Sequence, residues 1–168
     1  MINERVEKAL NEQVNAEIYS AYLYLSMSSY FESVNLPGFA QWMKAQAQEE
    51  MVHGMKIYDF IHERGGRVLL SAIEAPQTQW TNPVTAFSAT LEHEQKVTAL
   101  INGLVDVAIA EKDHATNIFL QWFVTEQVEE EASVDAVLQK LKMVGDQGHG
   151  LFMMDRELGS RGTEAAAE

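Results

Sequence analysis

The sequence predicts an all-α fold: a four-helix bundle with one long crossover and a short fifth helix at its C-terminal end. Three observations lead there. Apolar residues recur with the 3.6-residue period of an amphipathic helix through four long stretches. The first and second stretches, like the third and fourth, are joined by a few residues, whereas a long segment with no period of its own separates the second from the third. At 168 residues and 46% hydrophobic content, the chain is long enough for one substantial core and short for two. Residues 1–158 are therefore read as one domain. The tail 159–168, ending Thr163-Glu164-Ala165-Ala166-Ala167-Glu168, has little to bury and is expected to be disordered.

Asn3 is placed to cap the first helix, which runs to about Phe31 with Val6, Leu10, Val14, Ala21, Tyr24, Leu25 and Phe31 on its inner stripe. Glu17 falls in the middle of that stripe. The segment Val34-Asn35-Leu36-Pro37-Gly38 makes a short turn, because Pro37 suits a first helical turn and disfavours helix in the residue before it. The second helix follows to about Arg64, antiparallel to the first because the connection is so short. Phe39, Trp42, Met43, Ile57, Phe60 and Ile61 mark its buried face, and the same period lands on Glu50 and His53.

Gly65-Gly66 ends this helix, and a strap without helical period runs on to Asn82. About 16 extended residues reach about 56 Å, while a helix of about 28 residues is about 42 Å long. The strap can thus traverse the bundle, which makes the second and third helices parallel. Trp80 is expected to pack on the outside of the bundle or against a neighbouring subunit.

Asn82-Pro83 is an N-cap followed by proline at the first helical position. The third helix then runs to about Glu111, with Phe87, Leu91, Ile101, Val105 and Ile109 inward and Glu94 among them. Asp113 can cap the fourth helix, which carries Ile118, Phe119, Trp122 and Phe123 before an acidic run, and Val134, Val137, Leu138 and Leu141 after it. Within the run Glu126-Gln127-Val128-Glu129-Glu130-Glu131, the period passes through Glu126 and Glu130 with Gln127 and Glu129 flanking, so part of it faces inward. Glu131 points elsewhere, to the surface. Gly145, Gly148 and Gly150 break the pattern, and Leu151, Phe152 and Leu158 then mark a short amphipathic helix that must dock on a bundle end or on another subunit. His62, His93, His114 and His149 show no partner spacing, which leaves them surface or packing roles.

Charge and composition narrow the function. Twelve basic against 25 acidic residues give a net charge of −13, which repels nucleic acid and anionic membrane and concentrates cations. The chain has no cysteine, so a metal would be held by oxygen and nitrogen, with no thiolate zinc site and no iron–sulfur cluster. The N-terminal Met1-Ile2-Asn3-Glu4-Arg5 lacks the order of a secretory signal, and no apolar run approaches the roughly 20 residues of a membrane span. A cytoplasmic location is expected.

Each long helix thus carries a carboxylate near the middle of its apolar face: Glu17, Glu50, Glu94 and Glu130, with His53 one turn from Glu50. A buried carboxylate costs several kcal/mol unless it is protonated, paired or bound to metal, and no Lys or Arg lies within a turn of Glu50 on this face. One Glu-x-x-His pair is weak evidence by itself; four acids at similar depth are not. Two divalent ions balance four carboxylates, and two trivalent ions with an oxo bridge do so equally, so the set can serve both redox states. Iron and manganese suit these ligands and zinc binds them too, so residue type leaves the metal open. The halves differ: Gln127-Val128-Glu129-Glu130 stands where a symmetric two-metal bundle carries a second Glu-x-x-His. Losing an imidazole loosens one position, which suits metal that arrives, is oxidised and leaves.

These residues, with the strings Asn15-Ala16-Glu17-Ile18-Tyr19, Gln48-Glu49-Glu50-Met51-Val52-His53 and Glu126-Gln127-Val128-Glu129-Glu130-Glu131, closely resemble the prokaryotic non-haem ferritins from the first residues to about Leu158. The resemblance implies the ferritin-like bundle and an iron storage protein with ferroxidase activity. In such a protein dioxygen or hydrogen peroxide oxidises Fe²⁺, and Fe³⁺ is stored as mineral in a homo-oligomeric cage, usually of 24 subunits. It implies a first iron on Glu17, Glu50 and His53, a second on Glu50, Glu94 and Glu130 with Glu50 bridging, and Gln127 close to the pair. Glu49, Glu126 and Glu129 match a third, more labile iron site to which Glu130 contributes. Tyr24 matches a tyrosine that donates an electron near the centre; core packing alone is the plainer role for it and for Trp122.

The nearest rival is a haem-containing bacterioferritin, for which Met51 and Met55 are candidate ligands, but that family resembles the symmetric Glu-x-x-His pattern, so no haem is expected. Rubrerythrin-like peroxidases carry a second histidine and a cysteine-bound iron domain, and DNA-protecting mini-ferritins build their site between subunits and use basic tails. A non-enzymatic helical scaffold with solvated acids is the alternative from a different class.

Overall fold

The computed structural model describes residues 2–145 and 148–161, in five helices and no strand among those residues. α1 spans Glu4–Ser33, α2 Pro37–Glu63, α3 Pro83–Ala110, α4 His114–Val144 and α5 Gly148–Leu158. None of the described helices is long and apolar enough to cross a membrane.

Each long helix buries one column of side chains spaced alternately three and four residues apart. In α1 the column is Val6, Leu10, Gln13, Glu17, Ser20, Tyr24, Met27 and Phe31; in α4 it is Thr116, Leu120, Phe123, Gln127, Glu130, Val134, Val137 and Leu141. Phe39, Met43, Gln46, Glu50, His53 and Ile57 continue the rule in α2, as do Thr90, Glu94, Val97, Ile101, Leu104 and Ala108 in α3. Such 3-4 spacing averages close to 3.5 residues, the period at which helices pack side by side at a shallow angle. Three expected inner residues, Leu25, Ile109 and Ile118, are exposed, Ile118 at 74%, because each lies more than about 100° around its helix from the middle of the buried stripe. Apolar character alone does not say which of two neighbouring columns faces in.

The helix starts are capped as the local chemistry dictates. Asn3 accepts a hydrogen bond from the Arg5 amide at 2.8 Å, and Asn82 forms a reciprocal capping box with Thr85. Asp113 takes the Thr116 amide at 3.1 Å and a two-pronged contact from Arg64 at 3.0 and 3.1 Å, tying the end of α2 to the start of α4.

The strap lies along α1. The Leu69 amide donates to Asn11, Asn15 donates to the carbonyls of Ser71 and Ala72, and Ser26 donates to the Gln77 carbonyl. Contacts advance from Asn11 to Ser26 as the strap advances from Leu69 to Gln77, a climb of about 22 Å along the helix that eight strap residues cover only when nearly extended. The crossover therefore runs the bundle's length. Antiparallel pairing of α1 with α3, through Tyr24 with Glu94 and Met27 with Thr90, leaves α2 and α3 parallel. Trp80 closes the strap by packing 5.4 Å from the Tyr30 ring, and it joins the core cluster at that end of the bundle.

α5 docks on the start of α2. Leu36 offers no side-chain cap there, and Asp155 supplies one from α5, accepting the amides of Gly38 at 2.8 Å and Phe39 at 3.1 Å. Gly38 permits the approach: a Cβ on it would lie 1.7 Å from the Asp155 carbonyl oxygen. Of the tail, residues 159–161 turn back towards α2, where Arg161 lies over the Trp42 ring; residues 162–168 fall outside the described residues. Asp155→Ala is expected to lower stability in urea unfolding by about 1 kcal/mol, the usual cost of a lost cap. Gly38→Ala should cost more and expose α5 to limited proteolysis, and unchanged midpoints in both variants would show that this contact does not hold α5.

Candidate metal centre

The apolar core is divided. One cluster gathers Phe31, Phe39, Phe87 and Leu141, the other Val6, Leu10, Ile57, Ile101 and Leu120. Between them the four buried columns turn polar together, with Gln13 and Glu17 on α1, Gln46, Glu50 and His53 on α2, Glu94 on α3, and Gln127 and Glu130 on α4. Every one of these side chains is at most 5% exposed. The four carboxylates expected to share an interior level do so.

One grouping is Glu17, Glu50 and His53, each of which places a ligand atom within 4.8 Å of the others. His53 also stands within that distance of Glu126 and Glu130, with its Nδ1 3.5 Å from Glu50 and its Nε2 3.9 Å from Glu126. The rings of Trp122 and Phe123 meet His53 edge-on at 5.4 and 6.2 Å and hold it in place. Trp122 is partly exposed rather than core, and its outer side receives the Lys56 ammonium 3.9 Å from the ring centroid.

Glutamine amides set the carboxylates. Gln13 donates to Glu17 at 2.8 Å, and Gln46 donates to Glu130 at 2.7 Å and to Glu50 at 3.2 Å. Gln127 donates to Glu94 at 3.2 Å, and Tyr24 donates its hydroxyl proton to the other oxygen of the same carboxylate. Glu94 thus joins neither close grouping and is held instead by Tyr24 and Gln127. Oε2 of Glu17, Oε2 of Glu50 and Oε1 of Gln46 are buried without a hydrogen-bond partner. Orphaned acceptors of this kind are costly in a sealed interior, and a cation satisfies them. Gln13 and Gln46 escaped the sequence reading, although each occupies a column position four residues before an inward acid.

The outer residues are less gathered. Glu126 reaches the His53 side of the cluster, Glu129 is exposed, and Glu49 stands half-exposed with Arg161 upon it. Glu131, expected at the surface, is partly covered and accepts from Thr98. His93 packs against Tyr19 and Tyr24, with Nε2 2.8 Å from the Ser20 hydroxyl; burial, assisted by Lys96, depresses its pKa to about 4.

Burial pushes the Glu17 carboxyl well above the usual carboxylate range, and the neighbouring Glu50 charge adds to it. Glu50 rises through burial and then the charge of Glu94, and Glu94 rises through burial despite the hydrogen bonds from Tyr24 and Gln127. Glu130 is pushed up to about 7 by burial and by Glu94. Tyr24, buried beside these acids, keeps its proton far past the ordinary phenol range. Without ions Glu130 therefore keeps a proton in the folded chain from about 4.5, the ordinary value, up to about 7, and Glu17, Glu50 and Glu94 likewise keep theirs above the ordinary carboxylate range. The stability these groups contribute is present below the ordinary carboxylate value and is lost as pH rises, for Glu130 through about 7. In chelator-treated protein the urea midpoint should be higher near about pH 5 than near about pH 8, and Mn²⁺ should reverse that order because it binds the deprotonated acids. A midpoint that rises with pH in chelator would show the acids to be solvated.

Comparison with known proteins agrees with this geometry. Residues 7–144 match a family profile described as a ferritin-like domain. A bacterial non-haem ferritin from Bacteroides fragilis is 48% identical over 161 residues, covering 96% of this chain and 100% of the relative. A probable non-haem ferritin-like protein from Haemophilus influenzae is 41% identical, with 98% and 100% covered. Among solved structures, an open-pore ferritin from Archaeoglobus fulgidus superposes with a TM-score of 0.94 at 53% identity, over 96% of this chain and 99% of that one. With the matched segment spanning all four long helices and near half of the residues identical in relatives of the same length, the chain belongs to the ferritin family.

Proposed function

We propose that the protein stores iron, oxidising Fe²⁺ at a pair of positions inside each subunit and holding the Fe³⁺ as mineral within a homo-oligomeric cage, with 24 subunits as the expected number. The observation that carries this reading is the convergence of Glu17, Glu50 and His53, with Glu94 and Glu130 on the same buried level. Glu17, Glu50 and His53 would take the first ferrous ion, and Glu50, Glu94 and Glu130 the second. Glu50 suits the bridging place because it carries one orphaned oxygen and neighbours both groups. Gln127 holds Glu94, and Gln46 links Glu50 to Glu130, so the ligands are set before an ion arrives.

Two ferrous ions release two electrons. Dioxygen accepts them with two protons to give hydrogen peroxide, or hydrogen peroxide accepts them with two protons to give water. A cluster of hard anionic oxygens in a sealed interior favours the more highly charged product, which provides the driving force on the protein's side. Glu49, Glu126 and Glu129 form the outer, more labile position through which iron passes, with Glu130 shared between it and the pair. Tyr24, hydrogen-bonded to Glu94, would donate a further electron. The work is done in the cytoplasm on iron ions and oxidant, without nucleic acid, membrane or haem.

Aerobic addition of Fe²⁺ followed by size analysis tests this directly. The parent chain should oxidise about two ferrous ions per subunit quickly and carry the iron in a large assembly. Glu50→Ala and His53→Ala should keep their helicity and lose that fast phase by at least about tenfold. A chain that stays monomeric or dimeric throughout, takes up no iron or shows a Soret band would overturn the proposal.

A further inference from the structure

Arg161 arrives at the outer acids from an unexpected direction. It follows α5, whose Asp155 is fixed to the start of α2, and its amide closes on the Leu158 carbonyl at 3.2 Å. From there the guanidinium crosses the Trp42 ring at 4.2 Å and donates from Nη2 to Glu49 Oε2 at 2.6 Å. Trp42 and Glu49 lie two turns apart on one face of α2, so one side chain spans both. The side chain is 25% exposed, and its Nη1 is buried with no hydrogen-bond partner. The contact is half-formed: of the two terminal nitrogens, Nη2 is satisfied by Glu49 and Nη1 by no hydrogen-bond partner.

We infer that Arg161 is a tethered counter-cation for the outer iron position, occupying Glu49 in the ion-free chain and yielding it to an incoming metal ion. This rests on the reading of Glu49, Glu126 and Glu129 as that position. An ion on Glu49 cannot coexist cheaply with a guanidinium at hydrogen-bond distance from the same carboxylate, because like charges a few ångströms apart repel in a partly covered site. The ion must expel Arg161 from Glu49 or bind with fewer ligands. Either way the third ion binds more weakly than the acids alone would dictate, and it leaves more easily. Among the described residues, Glu17, Glu50, Glu94 and Glu130 accept no hydrogen bond from a Lys or Arg, so the inner pair has no competitor in direct contact. The C-terminal segment therefore acts on the outer position by direct contact and makes none with the ligands of the inner two.

Calorimetric titration of the full chain with Zn²⁺, which is redox-inert, separates these steps. The parent should show two tight ions and a weaker third. Arg161→Gln should tighten the third step by about tenfold with the first two unchanged, while Arg161→Lys, which keeps the charge, should stay near the parent. In a Glu49→Gln background, Arg161→Gln should have no further effect. An unchanged third step in Arg161→Gln, equal tightening in Arg161→Lys, or tightening that survives without Glu49 would each overturn the inference. Absence of the two tight ions from the parent would instead overturn the storage reading beneath it, and this inference with it.

Discussion

The structure depends on burying four carboxylates at one level of a bundle whose ends are apolar. A single charged acid in such a place is expensive, and four repel one another as well. The chain meets part of that cost with amides: Gln13, Gln46 and Gln127 each donate to an acid, and Tyr24 adds a hydroxyl to Glu94. The unpartnered oxygens of Glu17 and Glu50 are what these donors leave over. Two such atoms beside a histidine are acceptors that a cation could satisfy.

Holding the acids at one level requires helices that cannot slide, and the bundle is secured along its length. Hydrogen bonds at Asn11, Asn15 and Ser26 pin the strap to α1, the Arg64–Asp113 contact locks one end, and the Asp155 cap on α2 locks the other. A slip of one turn would move an acid by about 5 Å along its helix, more than the span of a ligand set. The apolar clusters on either side oppose any such shift, since it would carry their side chains out of register.

The two faces of the centre differ in character. On the inner side, side chains are fully enclosed and paired with neutral donors; on the outer side, Glu129 is exposed and Glu49 is held by a charged residue from the end of the chain. In the storage role proposed above, the enclosed set would retain its ions and the open set, held by a tethered cation, would exchange them.

The helices, their caps and their order were legible in the sequence because each rests on local chemistry: Asn3, Asn82 and Asp113 start helices, Gly65 and Gly145 stop them, and apolar spacing marks the long faces. Glu17, Glu50, His53, Glu94 and Glu130 could be picked out for the same reason, as polar interruptions of an apolar period. The wrongly placed Leu25, Ile109 and Ile118 show the limit of that signal, since a residue one step off the column is equally apolar and equally regular in sequence. Gln46 shows another: that it joins Glu50 to Glu130 is a relation between helices 84 residues apart. The docking of Asp155 on α2 and of Arg161 on Glu49 are of the same kind. The sequence by itself determined the helical periods and the polar interruptions within them, because periodicity is a property of one helix. Only the tertiary structure decided which of them meet, because the distance between two helices is set by the packing of everything between them.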